Sequence, residues 1–281
     1  PETREQEPND PFRPAEVRWP VIINGRIDRP GDADVFQFRG RQGQELVAEV
    51  RARRLQSPLD SALRLFGPDG ALLAYSDDHD DPEAGLETHH ADSYLRTTLP
   101  AEGTYRIQIE DVQRQGGPEC AYRLRLSPPQ PDFALRLTPS SLNARPGGNV
   151  PVTFHVVRRD GFTNRVLLRL EDAPPGFVFN NGRPAVIPPD KTQAKLTLRF
   201  PRQPLRRPLS LRFVGEARVQ GRLIRHEAVP ADDLMQAFIY RHLVPAQELL
   251  ATTIGRPSLR GLAQRAVNLL RRAKPSRPTP K

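Results

Sequence analysis

Four oxygen-bearing side chains crowd the first ten residues: Glu5, Glu7, Asn9 and Asp10. Asp32 and Asp34 set two more carboxylates just ahead of the apolar run Val35 to Phe38. Ca²⁺ takes roughly six to eight hard oxygen ligands from carboxylates, amides and carbonyls. The chemistry these residues suit is therefore cation binding, with the ion neutralising crowded carboxylates and pinning an N-terminal arm. The plainer reading is a solvated acidic terminus followed by an ordinary polar turn. A second acidic stretch, Asp77-Asp78-His79-Asp80-Asp81 with Glu83, Glu87, His89, His90 and Asp92, mixes nitrogen and oxygen donors that suit a transition metal. Charge runs between strands are ordinarily just solvated.

Catalytic signatures are lacking. There is no G-x-S-x-G elbow, no H-E-x-x-H helix and no phosphate-binding loop. His226-Glu227 is followed by Ala-Val-Pro, so the second histidine of a zinc motif is missing. The histidines at 79, 89, 90, 155, 226 and 242 do not pair with an evident Ser and Asp, and the chain is expected not to be an enzyme. The lone Cys120 excludes an intramolecular disulfide and a thiolate metal centre. Trp19 and the tyrosines at 75, 94, 105 and 122 are either a sparse binding face or core packing.

These side chains must be positioned by strands. Val35 to Phe38, Leu46 to Ala52, Ala62 to Phe66, Ala71 to Tyr75, Tyr94 to Leu99, Tyr105 to Ile109 and Tyr122 to Leu126 read as a series of short strand runs. In Tyr105 to Ile109 and Tyr122 to Leu126 every second residue is apolar, the period of a half-buried strand. Turn signals such as Gly67-Pro68-Asp69-Gly70 and Gly116-Gly117-Pro118 separate them. The Pro-rich stretch 128–131 is a stiff linker. A second strand series then runs from Phe133 through His226. The spacing predicts an all-β chain of two tandem antiparallel β-sandwiches, over residues 1–127 and 132–230, the second immunoglobulin-like but without a Cys…Trp…Cys core. Residues 231–281 form a tail. Residues 231–240 start like a helix with acidic residues in its first turn. Ser258 to Ala273 spaces Leu259, Leu262, Val267 and Leu270 as a basic amphipathic helix, and 274–281 is Pro-rich and expected to be disordered.

The first module resembles the bacterial pre-peptidase C-terminal domain, related to the collagen-binding domains of clostridial collagenases. The resemblance is carried by Glu5-Gln6-Glu7-Pro8-Asn9-Asp10, by Asn24-Gly25-Arg26-Ile27 with Gly31-Asp32-Ala33-Asp34-Val35-Phe36-Gln37-Phe38, and by Gly43-Gln44. Ser57-Pro58-Leu59-Asp60, Asp77-Asp78, Asp92-Ser93 and Pro100 to Tyr105 come after these in the same order. It implies a jelly-roll-like sandwich over about residues 3–127. It also implies calcium held between the arm and the start of the core strand, which nominates Glu5, Glu7, Asn9, Asp10, Asp32 and Asp34 as metal ligands. The second module and the start of the tail resemble, more loosely, the regions C-terminal to such domains in large extracytoplasmic proteins of planctomycete-like bacteria.

Charge separates the possible partners. Net charge is +9, yet residues 1–127 carry −7, residues 128–200 carry +5 and residues 201–281 carry +11. Arginine outnumbers lysine 38 to 4, which points to genome composition rather than to phosphate binding, and no nucleic-acid partner is expected. The basic tail leaves contact with a membrane surface as a minor alternative to docking on sequence outside the chain. No apolar run long enough to span a bilayer exists, and Pro1 begins without a signal pattern, which implies a removed signal or a piece of a longer protein. The function expected is a monomeric, secreted, periplasmic or surface-displayed accessory or adhesion module that binds a matrix or envelope polymer or a protein partner, or acts as a spacer. The alternative is the accessory region of a larger secreted peptidase or hydrolase whose catalytic domain lies elsewhere.

Overall fold

The structure, a computed structural model, describes residues 1–79, 92–235 and 241–255. The first module contains β1 (Glu2–Arg4), β2 (Ala15–Glu16), β3 (Val21–Arg26), β4 (Ala33–Gly40), β5 (Glu45–Arg51), β6 (Ser61–Phe66), β7 (Leu72–Ser76), β8 (Tyr94–Thr98), β9 (Gly103–Asp111) and β10 (Ala121–Ser127). They form two five-stranded sheets, ordered β1-β3-β10-β5-β8 and β2-β4-β9-β6-β7. Both sheets contribute to one core. Ile23, Val50 and Leu124 come from the first, and Phe36, Leu63 and Ile107 from the second. Alternation drives the assembly. In β9 the side chains of Tyr105, Ile107 and Ile109 are fully buried while Arg106 and Gln108 face outward. Burial of each such apolar side chain is worth about 1.5–3 kcal/mol, upper figures for an extended unfolded chain. Tyr105 keeps its phenol satisfied by donating to the Ala101 carbonyl at 2.6 Å.

The second module contains β11 (Asp132–Thr138), β12 (Ser141–Ala144), β13 (Asn149–Arg159), β14 (Val166–Glu171), β15 (Val178–Phe179), β16 (Ala185–Ile187), β17 (Gln193–Arg199), β18 (Leu209–Ser210), β19 (Arg212–Val219), β20 (Arg222–Met235), β21 (Arg241–Pro245) and β22 (Leu250–Thr253). Eight of these neighbour one another in a single sheet, β15-β17-β13-β11-β20-β19-β14-β16, with β21 added on β20. β16 packs back against β17, so the sheet curls almost into a barrel. A small sheet, β12-β22-β18, stands beside it. The strands are not purely antiparallel, since β11 runs parallel to β20 and β12 to β22. Gly215 permits the curl: a Cβ there would collide with Leu135 and stand 2.8 Å from Val166 Cγ1.

The helix expected over 231–240 is corrected where the chain is described. Residues 231–235 prolong β20 and pair with β21, from Ala231 opposite Pro245 to Met235 opposite Arg241. Partner strands provide the hydrogen bonds that a helix would have made locally, and Ser140 donates to the Asp232 carboxylate at 2.8 Å. Long-range pairing overrides the local helical spacing. Leu249 and Ala251 are fully buried in the second core, so that core reaches well past Pro230. The helix expected over 258–273, the Pro-rich end and acidic residues 80–91 lie outside the described residues.

Candidate functional site

The N-terminal arm reaches the start of β4. β1 pairs parallel to β3, the Glu5 amide donates to the Asn24 carbonyl at 3.0 Å, and the Val35 amide donates to the Asn9 carbonyl. This routing lays Glu5 and Glu7 over Asp34, with one carboxylate oxygen of each within 4.8 Å of the others. Asn9 and Asp34 are almost completely buried. One end of the Asn9 carboxamide stands 3.1 Å from Asp34 Oδ1 and 3.0 and 3.2 Å from the two Glu7 oxygens. As an amide NH₂ it donates to both carboxylates; as a carbonyl oxygen it makes a fourth oxygen facing the same point.

Tyr122, from β10, closes the floor of the cluster. Its hydroxyl lies 2.6 Å from Asp34 Oδ2 and 2.9 Å from Glu5 Oε2. A phenol has one proton and can serve one of these acceptors. The second short contact requires a proton on a carboxyl, and burial together with the Glu5 and Asp32 charges pushes Asp34 up to about 9. Burial and the charges of Asp32 and Glu5 push Glu7 up as well, although a bond from the Asn9 amide works against the shift. Without a cation, the cluster must hold a proton that its carboxylates would otherwise not carry. Gly25 makes room for this arrangement, because any Cβ there would overlap the Glu5 carboxylate and the Tyr122 ring. A groove of about 650 Å³ borders the cluster, lined by Arg4, Glu5, Arg26 and Tyr122 among others.

The residues fit a calcium ion. Ligands of Ca²⁺ at about 2.3–2.6 Å lie at most about 5 Å from one another, and the three carboxylates fall within that limit. Of the six residues nominated from sequence, the structure gathers Glu5, Glu7, Asn9 and Asp34. Asp10 instead accepts the Phe12 and Arg13 amides of its own turn at 2.8 and 3.0 Å. Asp32 accepts the Asp28 and Ala33 amides at 3.1 and 3.2 Å and acts on the cluster through its charge alone. Tyr122 and Gly25 are the members that sequence reasoning missed. Tyr122 reads as an ordinary inward position of an alternating strand. Gly25 was visible only as part of a motif.

A second polar centre joins the modules. Asp160 and Gly161 form a tight turn with φ of 47° and 77° after β13, for which Asp-Gly is the favoured pair. The turn aims the Asp160 carboxylate at the first module. Arg125 Nη1 and Nη2 donate to it at 2.8 and 3.0 Å, the Tyr94 hydroxyl at 3.1 Å, and the linker amide of Gln130 at 2.8 Å. Arg125 also donates to Glu49, which accepts from Arg54, and Arg54 Nε donates to Asp92 at 2.7 Å. Burial raises the Asp160 and Glu49 carboxyls, but their arginine partners outweigh it and leave both below the usual range. Asp92, nominated among possible transition-metal ligands, also accepts the amides of Ala52, Arg53 and Arg54. It shapes the turn after β5. Asp77 accepts the Tyr75 hydroxyl at 3.2 Å, and residues 80–91 lie outside the described residues.

No protein-family model matches the chain. Over 112 residues it is 37% identical to a Deinococcus radiodurans protein named "Probable subtilase-type serine protease", a match that takes in 36% of this chain and 14% of that protein. Among solved structures it is similar to the pre-peptidase C-terminal domain of collagenase from Bacillus anthracis, with a TM-score of 0.29, 15% identity, and 40% and 93% of the two chains covered. It is also similar to a DUF4785 family protein from Legionella pneumophila, with a TM-score of 0.25, 13% identity, and 74% and 58% covered.

Proposed function

We propose that this chain is a non-catalytic, extracytoplasmic accessory region whose first module is stapled by calcium. It binds a matrix or envelope polymer or a protein partner, or spaces its neighbours in a longer protein. The observation that carries this reading is the convergence of Glu5, Glu7 and Asp34 around buried Asn9, with a raised carboxyl that a cation would discharge. The resemblance of the arm and β4 motifs to pre-peptidase C-terminal domains supports the same ion. Glu5, Glu7, Asn9 and Asp34 would hold it, and Tyr122 would orient Glu5 and Asp34. Bound calcium supplies positive charge that replaces the proton and ties the arm to β4. Modules that work outside the cell bind calcium with Kd values of about 10⁻⁴–10⁻³ M, a range that suits a weakly caged site of this kind.

The test is thermal unfolding of chelator-stripped protein with and without millimolar calcium. Calcium raises Tm and protects residues 3–10 from proteolysis, because it binds the folded arm in preference to the unfolded chain. Absence of both effects would sink the proposal. A second reading, the accessory region of a secreted peptidase, is favoured by the stretch of identity to the Deinococcus protein. The complete reading frame separates the two: an adjoining subtilase-type catalytic domain supports the second, and further β-modules alone support the first.

A further inference from the structure

One end of the second module gathers cations that have no carboxylate partners. The turn from β12 to β13, the loop from β17 to β18 and the residues after β22 are tied together there. The Gly147 amide donates to the Pro201 carbonyl at 2.7 Å, and the Phe200 amide to the Gly148 carbonyl at 2.9 Å. The Leu205 amide donates to Thr253 Oγ1 at 2.9 Å, and the Ile254 amide to the Ala144 carbonyl at 2.8 Å. This brings together Arg145 from the turn, Arg199 from the end of β17, and Arg202, Arg206 and Arg207 from the loop, all of them exposed. Turn and loop touch, since Arg202 Cγ stands 3.6 Å from the place a Cβ on Gly147 would take. Among the described residues, none of the five arginines forms an ion pair. Carboxylates at the same end serve other groups: Glu171 faces Arg212 and Arg225, Asp172 faces Arg212, and Asp232 accepts from Ser140. The other carboxylates of the surrounding segments, Asp232, Asp233 and Glu248, are outnumbered by the five arginines. Ile254, 55% exposed, stands beside Arg145 through its bond to Ala144. Gly255 follows at the same end, and residues 256–281 carry eight Arg or Lys and no Asp or Glu.

We propose that this end of the second module docks on a bilayer containing anionic lipids, with its arginines on the headgroup phosphates and Ile254 at the boundary with the acyl chains. The proposal goes beyond the accessory-region reading and does not depend on the calcium site. Guanidinium groups suit phosphates because their donors match two oxygens at once. Each cation brought to an anionic membrane surface strengthens binding about fivefold. The exposed isoleucine favours a bilayer over an acidic polymer, because only the bilayer has an apolar layer to receive it. The sequence beyond Gly255 continues the same chemistry, with Leu259, Leu262, Val267 and Leu270 recurring among its cations.

Vesicle sedimentation of the full chain in the presence of chelator tests this. The vesicles are phosphatidylcholine alone, or equal parts phosphatidylcholine and phosphatidylglycerol. The chain is expected on the anionic vesicles only, and less of it as salt rises from about 0.1 to about 0.5 M. The triple variant R202Q/R206Q/R207Q loses at least about tenfold in vesicle affinity. R165Q/R218Q/R222Q makes the same charge change at exposed positions by the start of β14 and the β19–β20 turn, at the opposite end of the module. It loses less than about threefold. Ile254→Ser weakens vesicle binding about threefold or more and leaves retention on immobilised dextran sulfate, which reads charge alone, unchanged. Wild-type protein that ignores the anionic vesicles overturns the proposal, as does a loss in R202Q/R206Q/R207Q no greater than in R165Q/R218Q/R222Q. An I254S chain that binds vesicles like the wild type also overturns it, leaving only attraction to any polyanion and no contact with a bilayer interior.

Discussion

Asp34→Asn isolates the chemistry of the arm site. Asp34 has a folded pKa of about 9 against an ordinary 3.8, so the metal-free folded chain holds a proton that the unfolded chain has released. A raised carboxyl gives stability that is fully present below the unfolded pKa and is lost as pH rises toward the folded one. The slope is up to about 1.4 kcal/mol per pH unit between the two values. From pH 5 to pH 8 this amounts to a ceiling of about 4 kcal/mol, and at least about 1.5 kcal/mol is expected once partial solvation and sharing of the proton with Glu5 are allowed for. Asparagine is nearly isosteric and has nothing to titrate. Urea unfolding of metal-free protein should therefore show a wild type that weakens from pH 5 to pH 8 relative to D34N. At pH 8, about 10 mM calcium should add about 1.4–2.7 kcal/mol to the wild type for a Kd of about 10⁻³–10⁻⁴ M, and close to nothing to D34N. Parallel pH profiles for the two proteins, or an equal calcium response, would refute the reasoning.

The same geometry sets other outcomes. Gly25→Ala pushes a methyl into the Glu5 carboxylate and the Tyr122 ring, so it should abolish the calcium response and cost about 1–3 kcal/mol, read by urea unfolding. Asp160→Ala removes the acceptor shared by Arg125, Tyr94 and Gln130. It should cost about 2–4 kcal/mol and broaden the distribution of intermodule distances seen by solution scattering or spin labels. The depressed Asp160 carboxyl contributes stability above its unfolded pKa that disappears as pH falls through the lower folded value, so acid should loosen the same joint. Leu249→Ala should cost about 2–5 kcal/mol in the second module and leave the calcium response of the first unchanged.

The first module was largely legible in the sequence because strands such as β9 and β10 bury alternate residues along most of their length. Tyr105, Ile107 and Ile109 announce β9 by their period, and Tyr122, Leu124 and Leu126 announce β10. β3 was the harder strand, since Asn24-Gly25-Arg26 breaks the alternation with residues chosen for the arm and for Tyr122. The arm site was legible as a set of oxygen donors, but its membership depended on where the folded arm carries each carboxylate. Asp10 and Asp32 turn onto amides of their own turns. Glu5 and Glu7 also accept amides, of Arg26 and Asn9, but the arm lays them over Asp34. In the second module, pairing between distant segments decided the outcome. Nothing in the local pattern of 231–235 shows that β21 returns alongside it, or that β22 slots between β12 and β18. Asp160-Gly161 could be read as a turn from its residue types, but the partners of its carboxylate lie up to 66 residues away in the chain.

Both modules are sealed by a strand made late. β10, the last strand of the first module among the described residues, lies between β3 and β5, and β22, the last of the second among them, lies between β12 and β18. On a growing chain, the first module closes only after Ser127 has emerged, and the second only after Thr253. A chain interrupted just short of either point leaves two strands with bare backbone edges and an open apolar core. Such a product invites proteolysis or strand pairing with its neighbours. Each module is thus closed by its own late strand, and truncation just short of that strand is expected to give a protease-sensitive product.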